Sequence, residues 1–310
     1  MGLGPISWHR RGQPLSRRTH SCTPKRQARC MSTLLLTRHE GTELIERHVL
    51  GMAEMGYSGI SEQWLKRRAG DLHWRLIARA MGQRDAVFTC SEGEPLYAAF
   101  CVTSLQLVRP HLPRLGGEMT LAADLFRVGH GRLASLLRIC VGSEIVGRMI
   151  LVSTFVGRSE PGVNRSVVRR SPRALAMPPE APLAVRRVAE TASAAARDIR
   201  NDHLKLSAMS QTQKVLPCPT TDFNAAGLLY FPSYSALADR GLFQAGEMRP
   251  AMITSRNVVY LGNVEPGEWI EVSFKKLPSG HDVFLKGSDF RPLALMRVRF
   301  NCGNDGSLTS

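Results

Sequence analysis

The chain has no apolar run long enough to cross a membrane. A membrane helix needs roughly 18 to 20 consecutive apolar residues, and the longest runs here, such as MILVSTFV at 149–156, have the length of a strand. Apolar (43%) and charged (22%) contents are ordinary for a globular protein, which excludes extensive disorder. A chain of 310 residues is long enough for two domains. We therefore expect a soluble, cytoplasmic protein with a sizeable core.

The sequence also lacks the common signatures of metal and nucleotide sites. It has seven cysteines, but no CxxC pair and no Cys/His cluster with zinc spacing, so no metal site is expected. Neither Cys90 nor Cys101 has a local activating signature, and buried free thiols in a reducing compartment are the simplest account. No GxGxxG follows a strand and no nucleophile-elbow spacing occurs. A dinucleotide-binding fold and a serine hydrolase are therefore disfavoured.

Acidic residues are absent from residues 1–31, which contain seven arginines and lysines. This composition predicts a disordered or spurious N-terminal extension, with an organelle transit peptide as the second interpretation. Nucleic-acid binding is not expected, because Trp8 is the only aromatic residue there. The rest of the chain has 34 basic and 26 acidic residues, a net charge of +8. Such a surface favours acidic partners, including phosphates and acidic carrier proteins.

The folded part of the chain repeats one order of elements, a helix followed by several strands. In the first half, apolar spacing predicts a helix over 59–82, interrupted by Gly70 and ended by Gly82. In the second half it predicts a helix over 225–242, with Pro232 as a kink or early break. Strand-like runs follow the helices at 86–90, 97–109, 118–129, 132–141 and 144–158, and again at 250–264, 268–277, 281–290 and 293–300.

A Pro-, Arg- and Ala-rich stretch, which ends in a helix-forming segment, separates the two halves. The predicted organisation is an extension (1–31), a first domain (32–157), a crossover linker (158–205), a second domain (206–303) and a tail (304–310). Strands that do not alternate with helices indicate the α+β class with antiparallel sheets. An antiparallel sheet wrapped around one apolar helix is the hot-dog architecture, so we expect two tandem hot-dog domains.

Four separated stretches carry a more specific resemblance. They are GISEQWLKRRAGDLHW, MILVSTFV, VNRSVVRR and DFNAAGLLYFPSY. Together they resemble a double hot-dog family of bifunctional acyltransferase/decarboxylases of polyketide biosynthesis, the leinamycin type, over roughly residues 35–300. The resemblance implies decarboxylation of malonyl- or methylmalonyl-CoA, transfer of the acyl group to an acyl carrier protein, and no cofactor beyond the coenzyme A thioester. It also leaves a homodimer possible.

Two other functions remain open at this point. The same fold also suits a thioesterase or a dehydratase that acts on substrates of an acyl carrier protein. A catalytically silent protein that binds an acyl chain or a carrier protein is the third reading.

The stretch from Asp222 to Gly227 supplies the main candidate site. Asp222 and Asn224 are predicted to form a polar lip at the start of the second helix and to orient a thioester carbonyl or a water, although helix capping explains them equally well. Ala225, Ala226 and Gly227 are small enough to let a thioester approach the backbone, and so is Gly59 before the first helix. Helix N-termini near Gly59 and Ala226 would supply donors for an enolate oxygen.

The remaining candidates come from the first helix and the linker. The resemblance implies a tyrosine that accepts the acyl group, and Tyr57 is the candidate by location, with a packing role as the alternative. Glu62 is a candidate base, or simply a first-turn acid. Gln63 stands where the family has Asn, which puts decarboxylation in doubt. His73 is a substrate-binding candidate, with core packing the favoured reading. Arg165, with Arg169 and Arg170, could hold coenzyme A phosphates.

Overall fold

Twelve strands form one continuous, mostly antiparallel sheet in the computed structural model of this chain. The structure describes residues 43–172, 175, 177–201, 211–248 and 251–301. The predicted extension (1–31) and tail (304–310) lie outside the described residues, so those two predictions are not addressed here. The described residues form one compact unit, because one sheet runs through both halves.

Nine of the described strands follow the predicted runs closely, and no run was predicted at the positions of the other five. In chain order the described strands are β1 (Glu43–Val49), β2 (Met55–Gly56), β3 (Gly59–Ile60), β4 (Phe88–Thr89), β5 (Pro95–Leu107), β6 (Glu118–Val128), β7 (Arg132–Val141), β8 (Glu144–Arg158), β9 (Val167–Arg169), β10 (Gln211–Val215), β11 (Ile253–Tyr260), β12 (Ile270–Leu277), β13 (Gly280–Gly287) and β14 (Pro292–Phe300). The sheet order is β1-β6-β7-β8-β5-β11-β14-β13-β12-β10; β4 pairs with β5, β9 pairs with β8, and β2 and β3 form a separate ladder. The first-half and second-half strands meet where β5 pairs antiparallel with β11.

The part of the chain that the structure describes contains four helices, which cover both faces of this sheet. They are α1 (Glu62–Ala80), α2 (Leu183–Asn201), α3 (Pro219–Asp222) and α4 (Phe231–Gln244). Along β7, Leu133 and Leu137 pack with the core of α1, whereas Ala134 and Leu136 pack with the core of α2. Because neighbouring side chains of a strand point to opposite faces, α1 and α2 cover opposite faces. None of the described helices is long and apolar enough to span a membrane.

The prediction of a large antiparallel sheet with few helices is confirmed. The structure differs at the interior of α1, which runs through Gly70 without interruption. A Cβ at Gly70 would lie 2.8 Å from the Phe231 ring of α4, so this glycine is required by close packing and does not break the helix. Gly82 follows the end of α1 with a φ of +67°, which confirms its predicted role as a stop.

The second long helix begins six residues later than predicted. Residues 223–230 form a loop, and Pro232 lies in the first turn of α4, where its missing N–H has no helical partner to lose. Pro232 is therefore neither a kink nor an early break. The linker contains a long helix, α2, whose buried residues are Val185, Ala189, Ala192 and Ile199. Alanine at two of these four positions explains why no broad apolar stripe marks this face in the sequence.

A buried network of charges joins α1, α4 and β11. Arg256 of β11 is fully buried and binds Asp239 of α4 with two hydrogen bonds of 2.9 and 3.0 Å. Its Nε lies 3.0 Å from Glu62 Oε2, and Glu62 Oε1 lies 2.7 Å from the buried Nζ of Lys66. Lys66 also donates to Ser235 of α4. Burial alone would raise the pKa of Glu62, but the charges of Arg256 and Lys66 hold this pKa below its usual value.

The buried network predicts a large loss of stability when Arg256 is replaced. Arg256→Met retains an apolar side chain of similar length but leaves Asp239 and Glu62 without their main counter-charge. We expect the free energy of unfolding, measured from urea transitions, to fall by roughly 3–5 kcal/mol.

Arg297→Met is the matched control, because Arg297 on β14 binds Asp282 through two comparable bonds while its side chain remains 52% exposed. An exposed pair contributes about 0–1 kcal/mol. Equal losses in the two variants would contradict the structural role of the buried network.

Candidate functional site

An opening in the sheet lies at the junction of its two halves. β11 pairs with β5 only where Ser255–Val259 face Gln106–Val102, and β11 ends at Tyr260. The preceding stretch of β5, residues 97–101, pairs with β8 but has no partner on the β11 side among the described residues. Cys101 is the extra residue of a β-bulge in the β5–β8 ladder. The backbone of β5 therefore borders a gap at this junction.

A cavity of about 1190 Å³ fills this gap. Consecutive residues of β5, from 96 to 102, line it, so the cavity reaches both faces of the sheet. On the α1 side lies an aromatic lobe, formed by Trp74, Phe100, Tyr230, Phe231, Tyr234 and Tyr260. On the α2 side lies an arginine lobe, formed by Arg132, Arg169, Arg197 and Arg200. One cavity thus has an apolar end and a cationic end.

The aromatic lobe is a continuous set of ring contacts between the two halves. The centroids of Phe100 and Phe231 lie 4.3 Å apart, Trp74 stacks on Tyr230 at 6.3 Å, and Tyr234 meets Tyr260 edge-on at 5.1 Å. Burial raises the pKa of both Tyr234 and Tyr260. Their hydroxyl groups therefore stay protonated at neutral pH and act as hydrogen-bond groups, not as bases.

Asn224 organises the loop that borders this lobe. Its Oδ1 accepts hydrogen bonds from the backbone N–H groups of Ala226 (3.0 Å) and Leu228 (3.1 Å). Since Asn224 lines the cavity, its amide Nδ2 is the donor that it can offer to a ligand. The N-cap residue of α4, Tyr230, also lines the cavity and makes no side-chain capping bond. The Asn224 amide and the N-terminus of α4, the positive end of its dipole, thus border the same cavity.

Asn164 ties the crossover segment to the same loop. It is 3% exposed, and its Nδ2 donates to the carbonyl oxygens of Gly227 (2.7 Å) and Val264 (2.9 Å). Arg158 donates to Asn164 Oδ1 (2.7 Å) and to the Ala226 carbonyl (2.6 Å). These bonds hold the loop of residues 224–229 against the mouth of the cavity.

The charges around the cavity are of one sign. The described lining contains six arginines and no aspartate, glutamate or histidine. Two of the six, Arg165 and Arg291, form ion pairs with Glu268 and Asp289. The four arginines of the arginine lobe form no ion pair with any described carboxylate. Such a lining suits an anionic ligand and offers no carboxylate or imidazole base.

The structure brings together only some of the residues predicted from the sequence. Asn224, Ala225, Ala226 and Arg165 line the cavity, and Gly227 lies in the same loop with a φ of +71°. Asp222 is buried beside it, where it accepts a bond from the Cys218 N–H (2.8 Å) and lies 3.4 Å from Arg240. Asp222 therefore stabilises the α3 turn and does not line the cavity.

The candidates around the start of α1 lie elsewhere. Tyr57 is 94% exposed, Gly59 lies against Met252 and Pro110, and Glu62 belongs to the buried network. Gln63 is half-buried on α1. None of the four lines the cavity. The N-terminus of α1 is capped by Ser61, whose Oγ accepts from the Trp64 N–H at 3.3 Å, and it does not border the cavity at the β5–β11 junction. A catalytic role for these residues stays a prediction.

His73 is a buried core residue, as its favoured reading predicts. It is fully buried, and its two ring nitrogens lie 2.6 Å from Ser135 Oγ and 2.7 Å from Ser153 Oγ. These serines belong to β7 and β8, so the imidazole bridges α1 to two strands. Burial lowers the pKa of His73 to about 3, and the ring is neutral.

Several cavity residues were not singled out from the sequence. Trp74 immediately follows His73, Asn164 lies within the VNRSVVRR stretch, and four of the five tyrosines of the chain line the cavity. Scarce tyrosines that concentrate in one segment, as in LLYFPSY, were a usable signal. No sequence signal marks Arg132 and Arg197 as cavity residues, because arginines are spread along the whole chain.

Comparison with known proteins identifies the fold and not the family. No family model and no curated protein matches this chain. Among solved structures, a 12:0-ACP thioesterase from Umbellularia californica has a TM-score of 0.60 at 10% identity, over 86% of this chain and 99% of that one. An acyl-ACP thioesterase from Bacteroides thetaiotaomicron gives 0.59 at 9% identity over 84% and 98%. A protein named as an oleoyl thioesterase, from Lactobacillus plantarum, gives 0.55 at 12% identity over 84% and 96%. The described fold is thus consistent with that of hot-dog thioesterases.

The environment of His73 predicts a specific pH dependence of stability. Its pKa in the folded chain, about 3, is below the unfolded value of about 6.5. Protons therefore bind the unfolded chain first, and stability present above pH 6.5 is lost as the pH falls towards 3. Between pH 7 and pH 5 this group should remove about 2 kcal/mol from the free energy of unfolding.

Urea unfolding of the wild type and of His73→Gln at pH 7 and pH 5 measures this contribution. The variant should lack that part of the pH dependence, whereas His48→Gln, a change at a partly exposed histidine, should keep it. If the wild type and His73→Gln lose the same stability over this range, the buried neutral histidine is not the cause.

Proposed function

We propose that this chain is an acyl-thioester enzyme built from two tandem hot-dog halves, and that it releases an acyl group from a phosphopantetheine carrier by hydrolysis. The observation that carries the proposal is the cavity at the β5–β11 junction, with an aromatic end and a cationic end. An acyl thioester has the same polarity, since an apolar acyl group and an anionic carrier lie on either side of the thioester. The solved structures that share the fold are named as thioesterases of acyl-ACP or oleoyl substrates.

In this proposal the acyl group occupies the aromatic lobe. The thioester carbonyl then lies near Asn224 and the N-terminus of α4. The Asn224 amide and the helix dipole stabilise the negative charge that develops on the carbonyl oxygen. The nucleophile is a water molecule, and its attack depends mainly on this polarisation because the described lining holds no carboxylate or histidine. No cofactor takes part, since the thioester itself is the substrate.

One observation favours decarboxylation with acyl transfer as a second candidate. Loss of carbon dioxide from a malonyl-type thioester yields an enolate, which requires donors for its oxygen and takes a proton from water at its α-carbon, so no base has to remove a proton. A lining with six arginines and no described acid or histidine suits such a reaction. Because Tyr57 is 94% exposed and does not line the cavity, the acyl group would pass directly to the thiol of the carrier protein. A dehydratase, which needs an acid–base group, has no comparable support.

The partner in either reaction is an acyl carrier protein, or coenzyme A as its soluble equivalent. The net charge of +8 outside residues 1–31 favours association with an acidic carrier protein. We propose that the carrier docks at the mouth of the cavity and inserts its phosphopantetheine arm.

Incubation with acyl-CoA, methylmalonyl-CoA and the corresponding carrier-protein thioesters, followed by mass spectrometry, separates the candidates. A free acid with the unchanged carboxylate supports hydrolysis. A thioester that has lost carbon dioxide supports the second candidate. Binding without turnover of any of these substrates would contradict both enzymatic proposals and support a binding protein.

The proposed role of Asn224 predicts the effect of Asn224→Asp. The aspartate retains an oxygen that accepts from the Ala226 and Leu228 N–H groups, so the loop is kept, but the Nδ2 donor is lost. We expect kcat/KM for the turned-over thioester to fall about 100-fold or more, at an unchanged thermal midpoint.

Asn257→Ala is the control, since Asn257 lies on β11 outside the cavity, and should retain activity to within about twofold. Activity of Asn224→Asp equal to or above that of the wild type would contradict the role of the amide.

A further inference from the structure

The arginine lobe concentrates positive charge in one part of the cavity lining. Among the residues that the structure describes, none of its four arginines has a carboxylate within ion-pair distance, whereas Arg165 and Arg291 share Glu268 and Asp289. Four guanidinium groups around one space repel each other, and an anion between them relieves this repulsion. The composition of the lobe therefore suits a ligand of opposite charge.

The first of these arginines is held in place. Arg132 of β7 is half-buried, and its Nη1 donates to Ser193 Oγ (2.8 Å) and to the Ala189 carbonyl (3.4 Å) of α2. Ser193 Oγ in turn donates to the same carbonyl at 2.7 Å. The Nη1 group of Arg132 is thus bound to α2. The Nε and Nη2 groups stay available as oriented donors for a ligand.

The face of α2 that borders the lobe combines small and cationic side chains. Ala189, Ala192, Ser193, Ala196, Arg197 and Arg200 line the cavity at helical spacing, and Ile199 lines it as well. The acidic residues of this helix, Glu190 and Asp198, do not line the cavity. The alanines leave room beside the sheet, and the two arginines stand at its exposed edge. Charge on α2 is therefore segregated, with the cationic face towards the cavity.

We propose that the arginine lobe binds a phosphate group of the thioester carrier, either that of a phosphopantetheine arm or those of coenzyme A. This assignment rests on the proposed function for the identity of the carrier, and it places the phosphate on the α2 face and the acyl group on the α1 face. The pantetheine arm then runs through the gap beside residues 97–101 of β5. Phosphate oxygens match guanidinium donors in charge and geometry.

Cys101 provides a chemical reporter within this path. It is the bulged residue of β5, lines the cavity and is half-buried. Burial raises the pKa of its thiol, although the nearby charges of Arg169 and Arg132 act in the opposite direction. A ligand that spans the two lobes covers this thiol. Cys218 is exposed and does not line the cavity, so it serves as an internal reference.

Binding of coenzyme A by titration calorimetry tests the subsite. We expect Arg197→Gln/Arg200→Gln to weaken binding at least tenfold and to reduce its dependence on salt concentration. The matched control is Arg187→Gln, which removes one charge from an exposed arginine of the same helix outside the cavity. It should bind as the wild type does. A loss no greater in the double variant than in the control overturns the proposal.

The probe series distinguishes the sources of the phosphate. Dephospho-CoA lacks the 3′-phosphate, phosphopantetheine has a single phosphate, and pantetheine has none. If the lobe holds the phosphate of the arm, the arginine change weakens all probes except pantetheine. If it holds the 3′-phosphate, only coenzyme A is affected. An equal effect on pantetheine would overturn the phosphate assignment.

Alkylation by N-ethylmaleimide, followed by peptide mass mapping, supplies an independent readout. S-methyl-coenzyme A, whose blocked sulfur does not consume the maleimide, should slow modification of Cys101 at least fivefold and leave Cys218 unchanged, and the double variant should lose this protection. Unprotected Cys101 at saturating S-methyl-coenzyme A would overturn the proposed path.

These measurements are separate from turnover. Protection and arginine-dependent binding without any reaction would leave the subsite standing and remove the proposed function. If turnover is the same in the arginine variant as in the wild type, and the same for probes with and without a phosphate, the proposed function stands and the phosphate subsite is overturned.

Discussion

The buried Arg256 side chain holds the two halves of this protein in register. It projects from β11 and binds two carboxylates, Asp239 of α4 and Glu62 of α1. The two cations of the network, Arg256 and Lys66, are buried, whereas the side chains of Glu62 and Asp239 are 9% and 25% exposed. Taking ions out of water is costly, so the network tolerates few alternative arrangements. The relative position of α1 and α4 depends on it.

The position of those helices in turn creates the aromatic lobe. Phe231, the first residue of α4, reaches the surface of α1 where Gly70 has no side chain, and its ring meets Phe100 of β5. Tyr260 packs against the cores of both halves. On the other side of the sheet, α2 covers the strands next to the junction. The cavity is consequently a product of the junction and belongs to neither half alone.

The sequence predicted most of the elements because their signals are local. Period-two runs located the long strands, and the apolar spacing around Trp64, Leu72 and Leu76 located α1. The start of α4 was misplaced because Ala225 and Ala226 favour helix, while the loop is imposed by Asn224, Asn164 and Asn263 through bonds to backbone groups. Gly70 was misread for the same reason: its partner, Phe231, is 161 positions away in the chain.

The candidate site was only half predictable. Asn224 to Ala226 were found because a polar residue before small ones is visible in one segment. Tyr57 and Glu62 were chosen by their nearness to a helix start, yet that N-terminus faces the buried network and the surface. Arg132 and Arg197 come together with β5 only through the sheet order and the crossover helix. No pattern in the linear sequence indicates that these residues lie close together.

The central claim is that one cavity at the β5–β11 junction holds an acyl thioester carrier, with its acyl group among the aromatic residues and its phosphate among the arginines. A crystal structure with a 2-oxoalkyl thioether analogue of an acyl-CoA, which keeps a carbonyl group but cannot be cleaved, tests it most directly. The account predicts the acyl chain between Trp74 and Tyr260, the carbonyl oxygen within hydrogen-bond distance of Asn224 Nδ2, and a phosphate beside Arg132 and Arg197. A ligand bound near Tyr57 and Gly59, with this cavity occupied by solvent, would contradict it.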